Sequence, residues 1–197
     1  MNSKIFEREL TYIEDDAVRK FTETALDNLP QYFFEVAASS TGKYHPTYAL
    51  GDGGLVRHTK AVVMFAEELL RMSSYQYMRE EYKDYVIVAC IIHDTCKYGK
   101  SEYDKNEYSN HSRNASDLFQ EFCIENDYFP SEFLLNAVKS HMGQWSTDRE
   151  DRPFTSVDRC VHLADYMASR SFLDIPSIVD EYNEIVGGAE NEESNNN

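Results

Sequence analysis

Tyr85-Val86-Ile87-Val88-Ala89-Cys90-Ile91-Ile92-His93-Asp94-Thr95-Cys96-Lys97 is the stretch on which the fold turns. An apolar run, Tyr85 to Ile92, ends abruptly in His93-Asp94. Such a run belongs in the core, so it carries His93 and Asp94 to the edge of a low-dielectric interior. An ionised carboxylate is costly there unless something positive meets it. A divalent cation would meet it, and imidazole and carboxylate are both suitable ligands. Periodicity does not decide the run, which reads equally as a buried strand or a buried helix. Its β-branched content leans toward strand.

Working outward, three of the other histidines, His58, His111 and His141, fall on or at the ends of apolar helical faces. A helix is expected from about Leu55 to Met72, with Leu55, Val62, Phe65, Ala66 and Leu69 on one face and His58 beside them. A lone histidine there is commonly a core residue bonded to a carbonyl, so His58 counts as a ligand only in company. His111 opens a helix to about Asn126, one turn ahead of Ala115 on its apolar face. Pro130 and Ser131 start another, with Phe133, Leu134, Ala137 and Val138 buried and His141 at the end of that stripe. Thr155 or Ser156 caps a helix over Val157–Phe172, whose core positions are Val161, Ala164, Ala168 and Phe172. Asp165 lies in mid-helix among them, a second costly carboxylate.

The remaining segments frame these. Asp15 and Asp16 offer N-caps to a helix over Ala17–Asn28, Pro30 starts another over Gln31–Ala38, and Pro176 begins a last one to about Val186. Gly51 to Gly54 is either a plain loop before a helix or a close approach to a ligand. Asp148-Arg149-Glu150-Asp151-Arg152 reads as a solvated rim. Gly187-Gly188 should stop the last helix, and the acidic tail over 187–197 is expected to be disordered. That leaves one domain over 1–186 with its motif-bearing core at 45–172.

At 197 residues with 42% apolar content the chain can bury a full core. No apolar run approaches the roughly 20 residues needed to span a bilayer. The N-terminus lacks a signal-peptide block, so a cytoplasmic protein with no membrane partner is expected. The cysteines, Cys90, Cys96, Cys123 and Cys160, include no C-x-x-C pair and read as reduced structural thiols. A net charge of −16 repels a long polyphosphate backbone, which argues against a general nucleic-acid binder but leaves room for a small phosphorylated substrate.

Taken together, His58, His93, Asp94, His111, His141 and Asp165 favour one convergent nitrogen and oxygen site. That set suits manganese, iron or zinc. Gly53-Gly54-Leu55-Val56-Arg57-His58-Thr59, His93-Asp94-Thr95-Cys96-Lys97, Ser140-His141-Met142-Gly143-Gln144-Trp145 and His162-Leu163-Ala164-Asp165 resemble the HD-domain metal-dependent phosphohydrolase superfamily. In motif they look most like the HD domain of bacterial 3′→5′ exoribonucleases. Those carry an OB-fold module ahead of the HD domain, for which residues 1–44 are too short and too helical, so polymeric RNA is not the expected substrate.

The resemblance implies an all-α bundle of seven or eight helices, which overrides the lean to strand at Val86–Ile92. It implies two divalent ions, manganese or iron first, then zinc, nickel or magnesium. His58, His93, Asp94 and Asp165 would hold one; Asp94, His111 and His141 would hold the other, with Asp94 bridging. Paired ions of this kind acidify a shared water and clamp phosphoryl oxygens. Asp94 and Lys97 are the expected catalytic residues, and Arg57, Lys97, Lys100 and Gln144 the expected substrate contacts. His162 is a candidate support for the ligands and His45 a candidate for the mouth. The expected activity is hydrolysis of nucleotides or short oligonucleotides, phosphodiesterase in type. The alternatives are a mononuclear nucleotide phosphatase or nucleoside triphosphate phosphohydrolase, and a non-catalytic nucleotide-binding domain. Oligomeric state is not legible.

Overall fold

A computed structural model describes residues 2–39, 42–43, 45–146 and 148–195, the side chains of 188–195 excepted. Among the described residues there are eight α-helices and no strand. The helices are α1 (Glu7–Leu10), α2 (Asp16–Asp27), α3 (Gly54–Leu70), α4 (Glu80–Ile92), α5 (His111–Glu125), α6 (Glu132–Ser140), α7 (Ser156–Ala168) and α8 (Pro176–Asn195). No described helix is long and apolar enough to cross a membrane.

The core is the set α3, α4, α6 and α7: α3 packs on α4 and α7, α4 and α7 both pack on α6, and α5 covers α6 from outside. The opening stretch is therefore a helix, and every residue from Val86 to Ile92 is buried. A helix enclosed on all sides shows no polar face, which is why its periodicity left strand and helix level. The β-branched residues follow tertiary burial rather than propensity.

Local signals set most of the helix starts. The Asp15 carboxylate accepts from Ala17 N and Val18 N, and Ser131 caps α6. Thr155 and Asp158 form a capping box on α7. Gly53 enters α3 at φ 68°, and a Cβ on Gly54 would stand 2.5 Å from the Ala49 carbonyl oxygen. The glycines therefore serve the tight start of α3, not a ligand.

Some expectations are corrected. Gln31–Phe34 is a short 3-10 turn rather than a helix to Ala38. Helix α7 stops at Ala168, so Phe172 falls in the following turn and is exposed, and Phe133 is partly exposed at the start of α6. The charged cluster is not all rim: Asp151 is buried between Arg113 and Lys139. The backbone of α8 runs helically through Gly187 and Gly188 to Asn195. Of the tail expected to be disordered, Asn196, Asn197 and the side chains of 188–195 lie outside the described residues. All four cysteines are free and buried.

Two buried charge clusters brace the bundle around the site. Asp84 on α4 accepts from Glu14 N and Asp15 N at 2.9 and 3.0 Å. Lys60 on α3 is enclosed by Glu9 Oε2 at 2.6 Å, Glu181 Oε1 at 2.9 Å and the Ile5 carbonyl at 2.8 Å, which ties both chain ends to α3.

Candidate metal centre

His93 is the residue at which α4 ends, and Asp94 begins the turn that follows. The turn is held by Lys97 N donating to Asp94 O at 3.0 Å. Tyr32 Oη locks its far end, donating to Gly99 O at 2.5 Å and accepting from Tyr98 N at 3.2 Å. His141 occupies the equivalent place at the end of α6, and His111 is the first residue of α5. His58 and Asp165 come from the facing sides of α3 and α7, which pack together.

Three of the imidazoles are oriented alike. His93, His111 and His141 each direct Nδ1 to the carbonyl three residues earlier, at 2.7, 2.6 and 2.7 Å. A carbonyl only accepts, so Nδ1 carries the proton and Nε2 is left as a bare lone pair. This is how proteins orient histidine ligands to a metal.

Those lone pairs converge on one carboxylate. Asp94 Oδ1 lies 3.3 Å from His111 Nε2 and 3.7 Å from His141 Nε2. Asp94 Oδ2 lies 3.5 Å from His93 Nε2 and 3.8 Å from His58 Nε2. Asp165 Oδ1 lies 3.1 Å from His58 Nε2 and 3.8 Å from His93 Nε2. His111 Nε2 and His141 Nε2 stand only 3.1 Å apart, two acceptors face to face. Buried and without a hydrogen-bond partner are His58 Nδ1, His93 Nε2 and Asp94 Oδ1. Acceptors packed this closely are relieved by a shared cation, and the nitrogen and carboxylate donor set could hold a divalent one. Two groupings have ligand atoms close enough to share an ion, His58 with His93 and Asp165, and His93 with Asp94 and His141.

The protonation states suit ligation too. Burial would raise the Asp94 carboxyl, but the Lys97 ammonium and then the neighbouring His93 and His111 rings outweigh it and hold it well below the usual carboxylate range. Burial likewise opposes ionisation of Asp165, and the His58 hydrogen bond overcomes it. Burial pushes His141 down to about 3 and lowers His58, so both imidazoles stay neutral. His93 goes the other way: Asp94 raises it against the effect of burial.

Lys97 is buried with Nζ 2.5 Å from Asp94 Oδ2, and that carboxylate raises its pKa despite the burial. It lines the same cavity of about 240 Å³ as the ligands. His45 lines it too, its ring 5.8 Å from that of His58, with burial lowering its pKa to about 4. His162 does not reach the cluster. It directs Nδ1 to the His141 carbonyl at 2.7 Å and so braces the turn that carries His141.

The other expected substrate contacts are not brought to the cavity. The Arg57 nitrogens donate to Tyr48 O, Asp52 O and Leu50 O at 2.7, 2.9 and 2.7 Å, which makes it the clasp of the loop before α3. Lys100 points outward to Glu121 at 2.8 Å. Gln144 is exposed and does not line the cavity, whereas its neighbour Trp145 does. Sequence reasoning missed Tyr166 and Arg170. Tyr166 follows Asp165 on α7, and Arg170 lies past the helix end, where helical spacing gave no signal for it.

A model of the HD domain family matches residues 55–170, a span that includes all six of these histidine and aspartate residues. No curated protein and no solved structure matches the chain in the corresponding comparisons. With its helical bundle, its His93-Asp94 doublet and a family match over more than half its length, this chain belongs to the HD-domain family.

Proposed function

We propose that this protein is a metal-dependent phosphohydrolase of phosphodiesterase type, acting in the cytoplasm on nucleotides or short oligonucleotides with two divalent ions in the His/Asp cluster. The observation that carries this is Asp94: a buried carboxylate whose two oxygens face different sets of imidazoles, Oδ2 toward His58 and His93 and Oδ1 toward His111 and His141. HD domains are typically metal-dependent hydrolases, and the motif likeness to exoribonucleases favours a diester linkage.

His58, His93, Asp94 and Asp165 would hold one ion, and Asp94, His111 and His141 the other. Bound divalent ions supply Lewis acidity toward phosphoryl oxygens and a more acidic water. The chain contributes the rest. Nδ1–H donation from His93, His111 and His141 fixes their ring orientation before any ligand arrives, so little reorganisation is left to the reaction. Lys97 keeps its proton and orients Asp94 through Oδ2, and its ammonium borders the space where a phosphate would lie.

The test is metal analysis of the purified protein with hydrolysis of bis(p-nitrophenyl) phosphate and p-nitrophenyl phosphate in manganese, followed by mono-, di- and cyclic nucleotides. About two ions per chain and a preference for the diester are expected. One ion with monoester hydrolysis alone would establish the mononuclear phosphatase instead. Neither metal nor turnover would leave a binding domain.

A further inference from the structure

We infer that Arg170 and Trp145 form the substrate-recognition wall of this cavity, Arg170 engaging a phosphate and Trp145 stacking a planar base, so that the site selects nucleotides over other phosphoesters. The inference rests on the phosphohydrolase reading of the same cavity and adds the residues that choose the substrate.

Arg170 follows the end of α7, its backbone turned back by Arg170 N donating to Met167 O at 3.1 Å. Its guanidinium carbon lies 4.5 Å from the Tyr166 ring centroid and 5.9 Å from that of Trp145. Those two rings are nearly parallel, at 12° and 5.7 Å. Nη2 donates to Ser169 Oγ at 2.9 Å, and Nε is buried without a partner. Arg170 makes no ion pair among the described residues, as is also true of Arg57, which is spent on loop carbonyls, and of the exposed Arg149, Arg152 and Arg159; of these, Arg170 alone lines the cavity. The other cation of the cavity, Lys97, is already committed to Asp94.

A planar guanidinium laid on ring faces has its fork pre-organised, and its natural partner is a bidentate anion such as phosphate. In a strongly acidic protein such a local cation favours entry of a phosphorylated ligand. Trp145 is 49% exposed, a large ring left half open beside a metal-type site. It belongs to the wall shared with a second cavity of about 230 Å³, reached past Tyr108, His111 and Met142. A base stacked on that ring would place its phosphate between Arg170 and the ligand cluster. Stacking on an aromatic face tolerates any base, so the site would distinguish nucleotides from simple esters rather than one base from another.

Trp145 is the sole tryptophan, so its emission reports directly on this wall. The experiment titrates 5′-AMP, adenosine and inorganic phosphate into chelator-treated and manganese-supplemented protein, followed by Trp145 fluorescence and by calorimetry. Wild type, Arg170→Ala, Arg170→Lys and Trp145→Ala are compared, with bis(p-nitrophenyl) phosphate hydrolysis measured on each. AMP should quench Trp145 and bind more tightly than phosphate or adenosine. Arg170→Ala should weaken AMP and phosphate about tenfold or more while leaving adenosine unchanged. Trp145→Ala should weaken AMP and adenosine to a similar degree while leaving phosphate unchanged. If Arg170→Ala does not fold, Arg170→Lys carries the test, with a smaller loss for AMP and phosphate in the same pattern. Folded Arg170 and Trp145 variants that bind AMP like wild type would overturn the inference. Diester hydrolysis without AMP binding would overturn the recognition wall and spare the phosphohydrolase reading, whereas AMP binding without hydrolysis would do the reverse.

Discussion

Replacing Gly143 by alanine should damage the metal centre from outside it. Gly143 follows the His141 turn at φ +60°, and a Cβ built there would stand 2.1 Å from His162 Cε1. The left-handed backbone alone costs alanine about 1–2 kcal/mol. The overlap can be relieved only by swinging the His162 ring away, which gives up its 2.7 Å hydrogen bond to the His141 carbonyl, about 1 kcal/mol more. Together these predict a loss of about 2–3 kcal/mol, or a melting temperature lower by about 5–10 °C for a domain of this size. Freed from that brace, His141 should hold its ion less well, so metal content should fall with stability. Thermal denaturation and metal analysis of Gly143→Ala, His162→Ala and the double variant test this. The double variant should recover about 1 kcal/mol relative to additivity, because the clash has no partner left. A Gly143→Ala protein with wild-type melting temperature and metal content would show that His162 does not brace the His141 turn.

Further outcomes follow from the same contacts. Lys60→Met leaves the buried Glu9 carboxylate without its cation and should cost about 3–5 kcal/mol in denaturant unfolding, partly regained on adding Glu9→Gln. His111→Ala and His141→Ala should each lose about one ion per chain while the ion at His58 and Asp165 remains, measured by metal analysis after dialysis. Unchanged ratios in both would remove the two-ion assignment.

The convergence of His58, His93, Asp94, His111, His141 and Asp165 was legible because a charged or ligating residue on an apolar stripe is costly without a partner, and six such placements recurred in the chain. The all-helical fold was less legible at its centre. Val86 to Ile92 is enclosed on every side, so its pattern carries no period, and family likeness rather than propensity identified the helix. The lining of the cavity was the least legible. Arg57 is next to a ligand in sequence, yet neighbours on a helix point about 100° apart, and its guanidinium turns to the loop carbonyls of Tyr48, Leu50 and Asp52. Arg170 comes to the cavity because α7 ends at Ala168, two residues earlier, and no local rule applied to Val157–Phe172 marks that end. His162 was recognised as a support, but the carbonyl it braces lies 21 residues away in sequence, across the fold.

If Asp94 joins two ion sites, Asp94→Asn should empty both. The amide keeps the volume of Asp94 and an acceptor for the buried Lys97 ammonium, so folding should survive better than in Asp94→Ala, which orphans that charge. Metal content, melting temperature and bis(p-nitrophenyl) phosphate hydrolysis are measured on the same purified Asp94→Asn protein. A folded protein is expected that has lost more metal than any single histidine variant and has no measurable turnover. A folded Asp94→Asn protein with wild-type metal content and near-normal turnover would show that Asp94 does not join two ion sites.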